Sequence, residues 1–490
     1  MTFDEPSSTP SHLTRRRLLQ GTLAGGLAVA VAGGTGTAWA APRSSDWAAL
    51  AASISGQVIL PAQRAAFTQA KQIFNTRYDG STPVAVVAPK TVADVQRCMA
   101  FAVKHRLRVA TRSGGHSYTG ASAASGLLVV DLRRLDGGIG YDGGSGLATV
   151  TPASTLYAVA GGLAQQGRSV PVGTCATVGV AGLTLGGGLG VDSRLHGLTC
   201  DSLAAATMVL PNGEAVTVAP GERDDLYWAL RGGGGGNFGI VTSLTFRTTP
   251  SVGKDVVTMN FPPASSATVI TGWRRWLSVA EPSAWADVNI GSDRRGGVTC
   301  SVLLVCATGA GRRIAADISA AVGVVPSGSD YSTLDPMATF LRLSGGATAP
   351  RHGFVAGSDI LAQITDPIAA AIVTAVRNRS RSGGPGLVII DPLDGAISGV
   401  ATGATAFPWR THAASLQWFT DVAPGASYLS PTSWVKSAHS TIGVASSGAY
   451  VNYIESGVAP SRYFGANLPR LRSVRTKYDP ARTMYSGLDI

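Results

Sequence analysis

Residues 111–120, Thr-Arg-Ser-Gly-Gly-His-Ser-Tyr-Thr-Gly, bring a cation, bare glycines, an imidazole and a phenol close together. Gly114 and Gly115 leave the backbone free to bring amide N–H groups against an anionic ligand. Arg112 can neutralise a phosphate there, and His116 presents its ring just past the glycines. Taken alone, the stretch reads equally as a strand-to-loop turn carrying a surface histidine.

A second stretch, residues 173–190, is Gly-Thr-Cys-Ala-Thr-Val-Gly-Val-Ala-Gly-Leu-Thr-Leu-Gly-Gly-Gly-Leu-Gly. It is too rich in glycine for a helix interior and has no collagen period. Backbone this bare predicts close contact with a flat, phosphate-bearing cofactor. Cys175 heads the run without a C-x-x-C partner, which argues against zinc. His105, His196 and His352 lack metal-ligand spacing, so no metal is expected. No G-x-G-x-x-G sits in a βαβ context, so a nicotinamide cofactor is not expected either.

Together the two stretches resemble the vanillyl-alcohol oxidase / p-cresol methylhydroxylase (PCMH-type) flavoproteins, and more narrowly their berberine-bridge-enzyme-like branch. The similarity runs from about Phe74 to Ile490. It takes in Trp228 to Gly239, with its five consecutive glycines, as well as Tyr450-Val-Asn-Tyr453 and Tyr478-Asp-Pro480. The resemblance implies FAD bonded covalently through His116 to the flavin 8α-methyl and through Cys175 to flavin C6. It implies further cofactor contacts from Arg112, Ser113, Gly114, Gly115, Ser117, Thr177, Val178 and Gly179. Gly182, Gly187, Gly188, Gly190, Asn237, Gly239, Ile240, Val241 and Asn452 complete that set.

By the same resemblance Tyr118 faces substrate, Tyr450 takes the substrate's hydroxyl proton, and Tyr453 contacts flavin or substrate, two roles open to exchange. Residues three apart on an ideal strand face opposite ways, so the segment must bend or end for both tyrosines to reach the flavin. A phenol titrates near 10, so a basic tyrosine needs positive charge nearby, and the sequence identifies none. Gln417 stands where berberine-bridge enzymes proper carry a glutamate base. An amide cannot act as that base, which weakens glutamate-dependent ring closure and suits an alcohol oxidase in which Gln417 orients the substrate. Val178 falls where this branch borders the oxygen path, and valine there accompanies oxidases. The expected function is a secreted FAD-dependent oxidase that converts a sugar or natural-product hydroxyl to a carbonyl, with O2 as acceptor and hydrogen peroxide as product. The alternative is a flavin-dependent oxidative cyclase or desaturase.

The elements that must hold these residues follow from the rest of the chain. With 490 residues, 45% hydrophobic and 14% charged, it is globular and long enough for two or three cores. The net charge of +11 comes from scattered pairs such as Arg274-Arg275 and Arg312-Arg313, without interleaved aromatics, so no nucleic-acid partner is expected. Residues 1–40 read as a twin-arginine leader: Arg15-Arg16-Arg17, an apolar stretch broken by glycines, and Ala38-Trp39-Ala40 as the cleavage site. Export to the extracellular space is expected, with no stable membrane insertion after the leader is removed. Alternating strand and helix patterns over 41–250 predict a two-lobed FAD-binding domain. Over 251–457 the texture changes to successive strands with helices set apart, predicting an antiparallel sheet covered by helices that forms the substrate domain. Residues 458–490 are expected to return to the FAD-binding domain, giving an α+β fold overall. Cys300 and Cys306 fall on one strand-like run, about 20 Å apart, too far to bridge, and no disulfide framework is predicted.

Overall fold

The computed structural model describes residues 41–490, so the leader and its twin-arginine pair lie outside the described residues. The first sheet has the order Gln57–Ile59, Ala85–Ala88, Leu128–Asp131, Val109–Arg112, Met484–Tyr485. Its inner pairs are parallel. The helix Val92–Lys104 packs on it through Val95, Cys98, Met99 and Ala102, the helical spacing visible in the sequence. Thr91 and Asp94 form a capping box at its start. A second, antiparallel sheet runs Ile139–Asp142, Leu147–Val150, Ile240–Arg247, Leu203–Val209, Ala215–Val218.

The third sheet has eight antiparallel strands, all between Lys254 and Gly448. Their order is Gly328–Leu334, Lys254–Phe261, Val298–Ala307, Trp285–Ser292, Leu387–Pro392, Ala414–Val422, Gly353–Leu361, Ser446–Gly448. Alternation divides its inner strands between two environments. Val288, Ile290, Val302, Leu304, Val388, Ile390, Leu416 and Trp418 enter a core roofed by the helices Ser266–Leu277, Gly311–Val322, Asp366–Arg381 and Leu429–Ile442. The intervening Asp287, Leu303, Ile389, Asp391, Gln417 and Phe419 line a cavity on the opposite face. Gly323 closes the second of these helices with φ +73°. All five cysteines are free thiols.

After the third sheet the chain crosses back through the helix Leu468–Tyr478 to the first sheet. Asp479 makes that return. Its carboxylate accepts the N–H groups of Thr483 (2.8 Å) and Met484 (2.9 Å) and pairs with Arg475 at 2.9 Å, which turns the chain into its last strand.

Two sequence expectations give way here. The glycine run contains a six-residue helix, Val180–Leu185, despite its composition. Tyr450 to Tyr453 is no strand: Tyr453 N–H closes on Tyr450 C=O at 2.9 Å, and Val451–Tyr453 form a single 3₁₀ turn. The turn does not bring both phenols to one place: Tyr453 lines the cavity on the open face of the third sheet and Tyr450 stays buried behind it.

Candidate active site

A cavity of about 580 Å3 lies between the loops of the first two sheets and the open face of the third. The loop leaving the strand Val109–Arg112 forms one wall. Among the described residues, the N–H groups of Gly114, Gly115, His116 and Ser117 meet no acceptor, and Gly115 has φ +77°. Successive free amides around a left-handed residue make an anion-binding concavity. The Ser122 hydroxyl, buried and without a partner, lines the same cavity. Free donors in a buried place need a ligand to accept from them, and a dinucleotide's pyrophosphate fits that chemistry. Gly182, in the short helix, has open space where a Cβ would stand and also faces the cavity.

His116 and Cys175 meet across Thr177. His116 Nε2 lies 3.0 Å from Thr177 Oγ1, and Cys175 Sγ lies 3.8 Å from the same oxygen. Burial, reinforced by His352, pushes the His116 imidazole down to about 4. It is therefore neutral, with a lone pair for bonding. Phe74 stacks on its ring at 4.0 Å.

Much of the glycine run does other work than the sequence suggested. A Cβ on Gly179 would lie 2.1 Å from Gly114 N, and one on Gly114 would lie 2.2 Å from Gly179 N. These two cavity-lining glycines are what let the histidine loop and the glycine run pack backbone to backbone. A Cβ on Gly190 would strike Val172 O at 1.9 Å. Gly187 and Gly188 do not line the cavity: Gly187 packs under Phe407 and Tyr450, and Gly188 against Thr199. Arg112 is a further correction. It is almost fully buried, donates to Ala70 O (2.6 Å) and Gln72 O (3.0 Å), and stays off the cavity. Ile240 sits in the core beneath the first sheet, and Thr177 acts through its two neighbours rather than as lining. Ser113, Ser117, Val178, Gly239, Val241, Asn237 and Asn452 do line the cavity.

The tyrosines separate by environment. Tyr453 lines the cavity, stacked on Tyr118 with ring centroids 5.5 Å apart and 17° between planes. The Tyr118 hydroxyl accepts the Gln417 amide at 2.6 Å. Tyr450 lies behind them, 2% exposed and off the cavity. Its hydroxyl accepts from Gly188 N–H (2.7 Å) and Asn452 Nδ2 (2.8 Å), and its ring meets Tyr453 edge-on at 5.0 Å. Asn452 also donates to Leu183 O at 3.0 Å, tying the turn to the short helix. Below the turn, buried Asp359 accepts from Trp418 (2.7 Å), Ser446 (2.5 Å) and Arg462 (2.5 Å) and contacts His439 at 2.7 Å. The other His439 nitrogen meets Glu455 at 2.9 Å. This network fixes both ends of the segment that carries the tyrosines.

Burial, then the charge of Asp391 and the neighbouring phenols, raises Tyr453 well above its ordinary value. The Asp391 carboxylate has no hydrogen-bond partner among the described residues, and burial pushes it up to about 7. Asp287 faces it on the adjacent strand, raised well above the usual carboxylate range by burial and by Asp391 itself. Nothing in the sequence marks Asp287, Phe354 or Phe419, because a residue's position on a strand does not say which sheet face meets a ligand, and Ser122 lies in a 3₁₀ turn, Ala121–Ala123, outside the motif.

Two segments match known families: residues 83–219 the FAD binding domain, and residues 449–485 the berberine and berberine-like segment. The chain is an FAD-dependent oxidoreductase whose two matched segments are similar to berberine-bridge-enzyme-like proteins. An uncharacterized FAD-linked oxidoreductase of Bacillus subtilis, YgaK, is 28% identical over 404 residues, 81% of this chain and 89% of its own. A carbohydrate oxidase of Microdochium nivale is 27% identical over 436 residues, 82% of this oxidoreductase and 86% of the relative. A structure of the glucooligosaccharide oxidase of Acremonium strictum, an enzyme with a 6-S-cysteinyl, 8α-N1-histidyl FAD, superposes with a TM-score of 0.79. That match has 23% identity and covers 90% of this chain and 98% of the other. The oxidoreductase therefore has the PCMH-type fold, a two-lobed FAD-binding part and a helix-covered antiparallel sheet. Among the described residues no helix is long and apolar enough to cross a membrane.

Proposed function

We propose that this oxidoreductase is an alcohol oxidase, taking two electrons and two protons from a CH–OH group and passing them to O2 to give a carbonyl compound and hydrogen peroxide. The observation that carries the reading is Tyr453 in the cavity, stacked on Tyr118, beside an unpartnered carboxylate and across from His116 and Cys175. FAD, when bound, supplies the hydride acceptor and returns the electrons to oxygen. The chain's own part is to hold the hydroxyl and move its proton. Tyr453 is the acceptor rather than Tyr450, because only Tyr453 opens on the cavity. A phenol raised so far is protonated at neutral pH, so it accepts the substrate's proton only as it gives up its own. Asp391, near 7 and free of hydrogen bonds, is matched to take it. Tyr118, braced by Gln417, holds the hydroxyl from the other side. Gln417 is an amide already donating to a phenol, which leaves no glutamate-type base at that position. Val178 lines the cavity with a small side chain, in keeping with oxygen reaching the site.

The pairing of His116 and Cys175 through Thr177, and the bicovalent flavin of the Acremonium protein, support attachment of FAD at both residues here. Denatured protein should then stay yellow, with the flavin on a peptide. His116→Ala and Cys175→Ala should each retain one bond. Release of all flavin by acid precipitation of the unmutated protein would refute attachment.

The Arg15-Arg16 pair and the Ala38-Trp39-Ala40 site support export by the twin-arginine route. Replacing Arg15 and Arg16 by lysine should leave the protein, flavin included, in the cytoplasm. Unchanged secretion would rule the route out.

A further inference from the structure

The sheet side of the cavity shows what the oxidised alcohol must look like. Its polar groups are few: Tyr453 stacks on Tyr118, Tyr118 holds Gln417, and Asp391 and Asp287 lie on neighbouring strands of the same face. Several of their hydrogen-bonding atoms are already engaged, Gln417 Nε2 with Tyr118 and Asp287 Oδ1 with Asn289 at 2.6 Å. His352, at the edge, is held by Pro350 O at 3.2 Å and Asp421 at 3.3 Å. Beyond that set the wall is Trp285, Leu303, Leu343, Ile389, Phe354 and Phe419. Phe354 stacks on Phe419 at 5.2 Å and meets Tyr118 edge-on at 5.1 Å, so the aromatic surface runs up to the reacting position. No lysine or arginine is among the lining residues, in a chain with 40 of them.

An oligosaccharide carries hydroxyls around every ring. Each one buried against such a wall without a partner costs roughly tenfold or more in affinity. An anionic substrate would meet two carboxylates and no cation. A hydrocarbon ring bearing one hydroxyl meets none of these penalties and gains from burying its apolar surface.

We infer that the substrate is an alcohol whose hydroxyl stands on an apolar, ring-bearing carbon skeleton, and that free oligosaccharides are poor substrates. The inference rests on the alcohol-oxidase reading, so its test has a turnover arm and a binding arm. Flavin-loaded enzyme is given 1-tetralol or cinnamyl alcohol, and separately xylobiose or cellobiose, with peroxide and oxygen-free flavin reduction recorded. In parallel, 1-tetralone and xylobiose are titrated against the flavin absorbance spectrum. The expected result is a kcat/KM at least a hundredfold higher for the apolar alcohols, and a saturable spectral shift with 1-tetralone alone. Equal or better turnover of the oligosaccharides overturns the inference. If neither class is oxidised, the alcohol-oxidase reading fails, and the titration decides the rest. A shift with 1-tetralone and none with xylobiose upholds the apolar site, and a shift with xylobiose alone, or with neither ligand, overturns it.

Discussion

Tyr453→Phe should slow flavin reduction by substrate about a hundred- to ten-thousand-fold, the usual loss when a positioned proton acceptor is removed. The change deletes one oxygen and keeps the ring stacked on Tyr118, so packing and flavin content should survive. Reoxidation of the reduced enzyme by oxygen should stay close to the parent rate, because that step does not involve the substrate's proton. Tyr450→Phe should behave differently. It strips the acceptor from Gly188 N–H and Asn452 Nδ2 in a buried place and should cost about 1–3 kcal/mol of stability, with a smaller effect on reduction. The pH profile provides an independent check. If Asp391 takes the proton from Tyr453, reduction should fall as pH drops below about 7, where the carboxylate becomes protonated, and Asp391→Asn should flatten that limb. Rapid mixing without oxygen measures all three variants. A slow Tyr450→Phe beside a normal Tyr453→Phe would reverse the assignment.

The second large effect separates two glycines only three residues apart. Gly179→Ala drives a methyl into Gly114 N at 2.1 Å and Ser113 Oγ at 2.2 Å. Overpacking ordinarily costs about 1–3 kcal/mol, and here the main obstacle is backbone that cannot rotate away. The variant should give little soluble, flavin-loaded protein. Gly182→Ala meets no atom within 4 Å and replaces a helical glycine, which should by itself favour the fold by about 1 kcal/mol. Its methyl enters the cavity, so it should melt no lower than the parent yet carry less flavin. Melting temperature against the ratio of flavin to protein absorbance distinguishes the two. Parent-like behaviour of Gly179→Ala would contradict the interlocked loops.

What the sequence made legible divides along physical lines. His116, Cys175 and the tyrosines announce themselves because reactive groups at fixed spacing are rare, and the cavity does bring His116, Cys175, Tyr118, Tyr453 and Gln417 together. The helix Asp224–Leu230 and the strands Ile240–Arg247 and Val298–Ala307 carry a clean period that can be read from the residues alone. The strand Gly353–Leu361 went unseen because every residue in it is buried, so it has no alternation, and Gly357 makes room for Glu455. The helix Leu429–Ile442 was equally hidden, its Ser, Thr and Pro composition masking the stripe of Trp434, Val435, Ala438 and Ile442. Arg112 misled for a different reason. Composition shows a cation at a strand end, but not that its Nη1 is turned away to the Ala70 and Gln72 carbonyls.

The strand Met484–Tyr485 lies beside Val109–Ala110, although most of the chain separates them in sequence. Tyr485, Ser486 and Leu488 then line the cavity, and Tyr485 O rests against Gly236. On the ribosome this strand emerges after every other strand of the three sheets. Until then the first sheet has a bare edge beside the histidine loop, and one wall of the cofactor's seat does not exist. Contacts so distant in sequence also close slowly. The cavity wall is therefore complete only once residues 484–488 have docked beside the histidine loop.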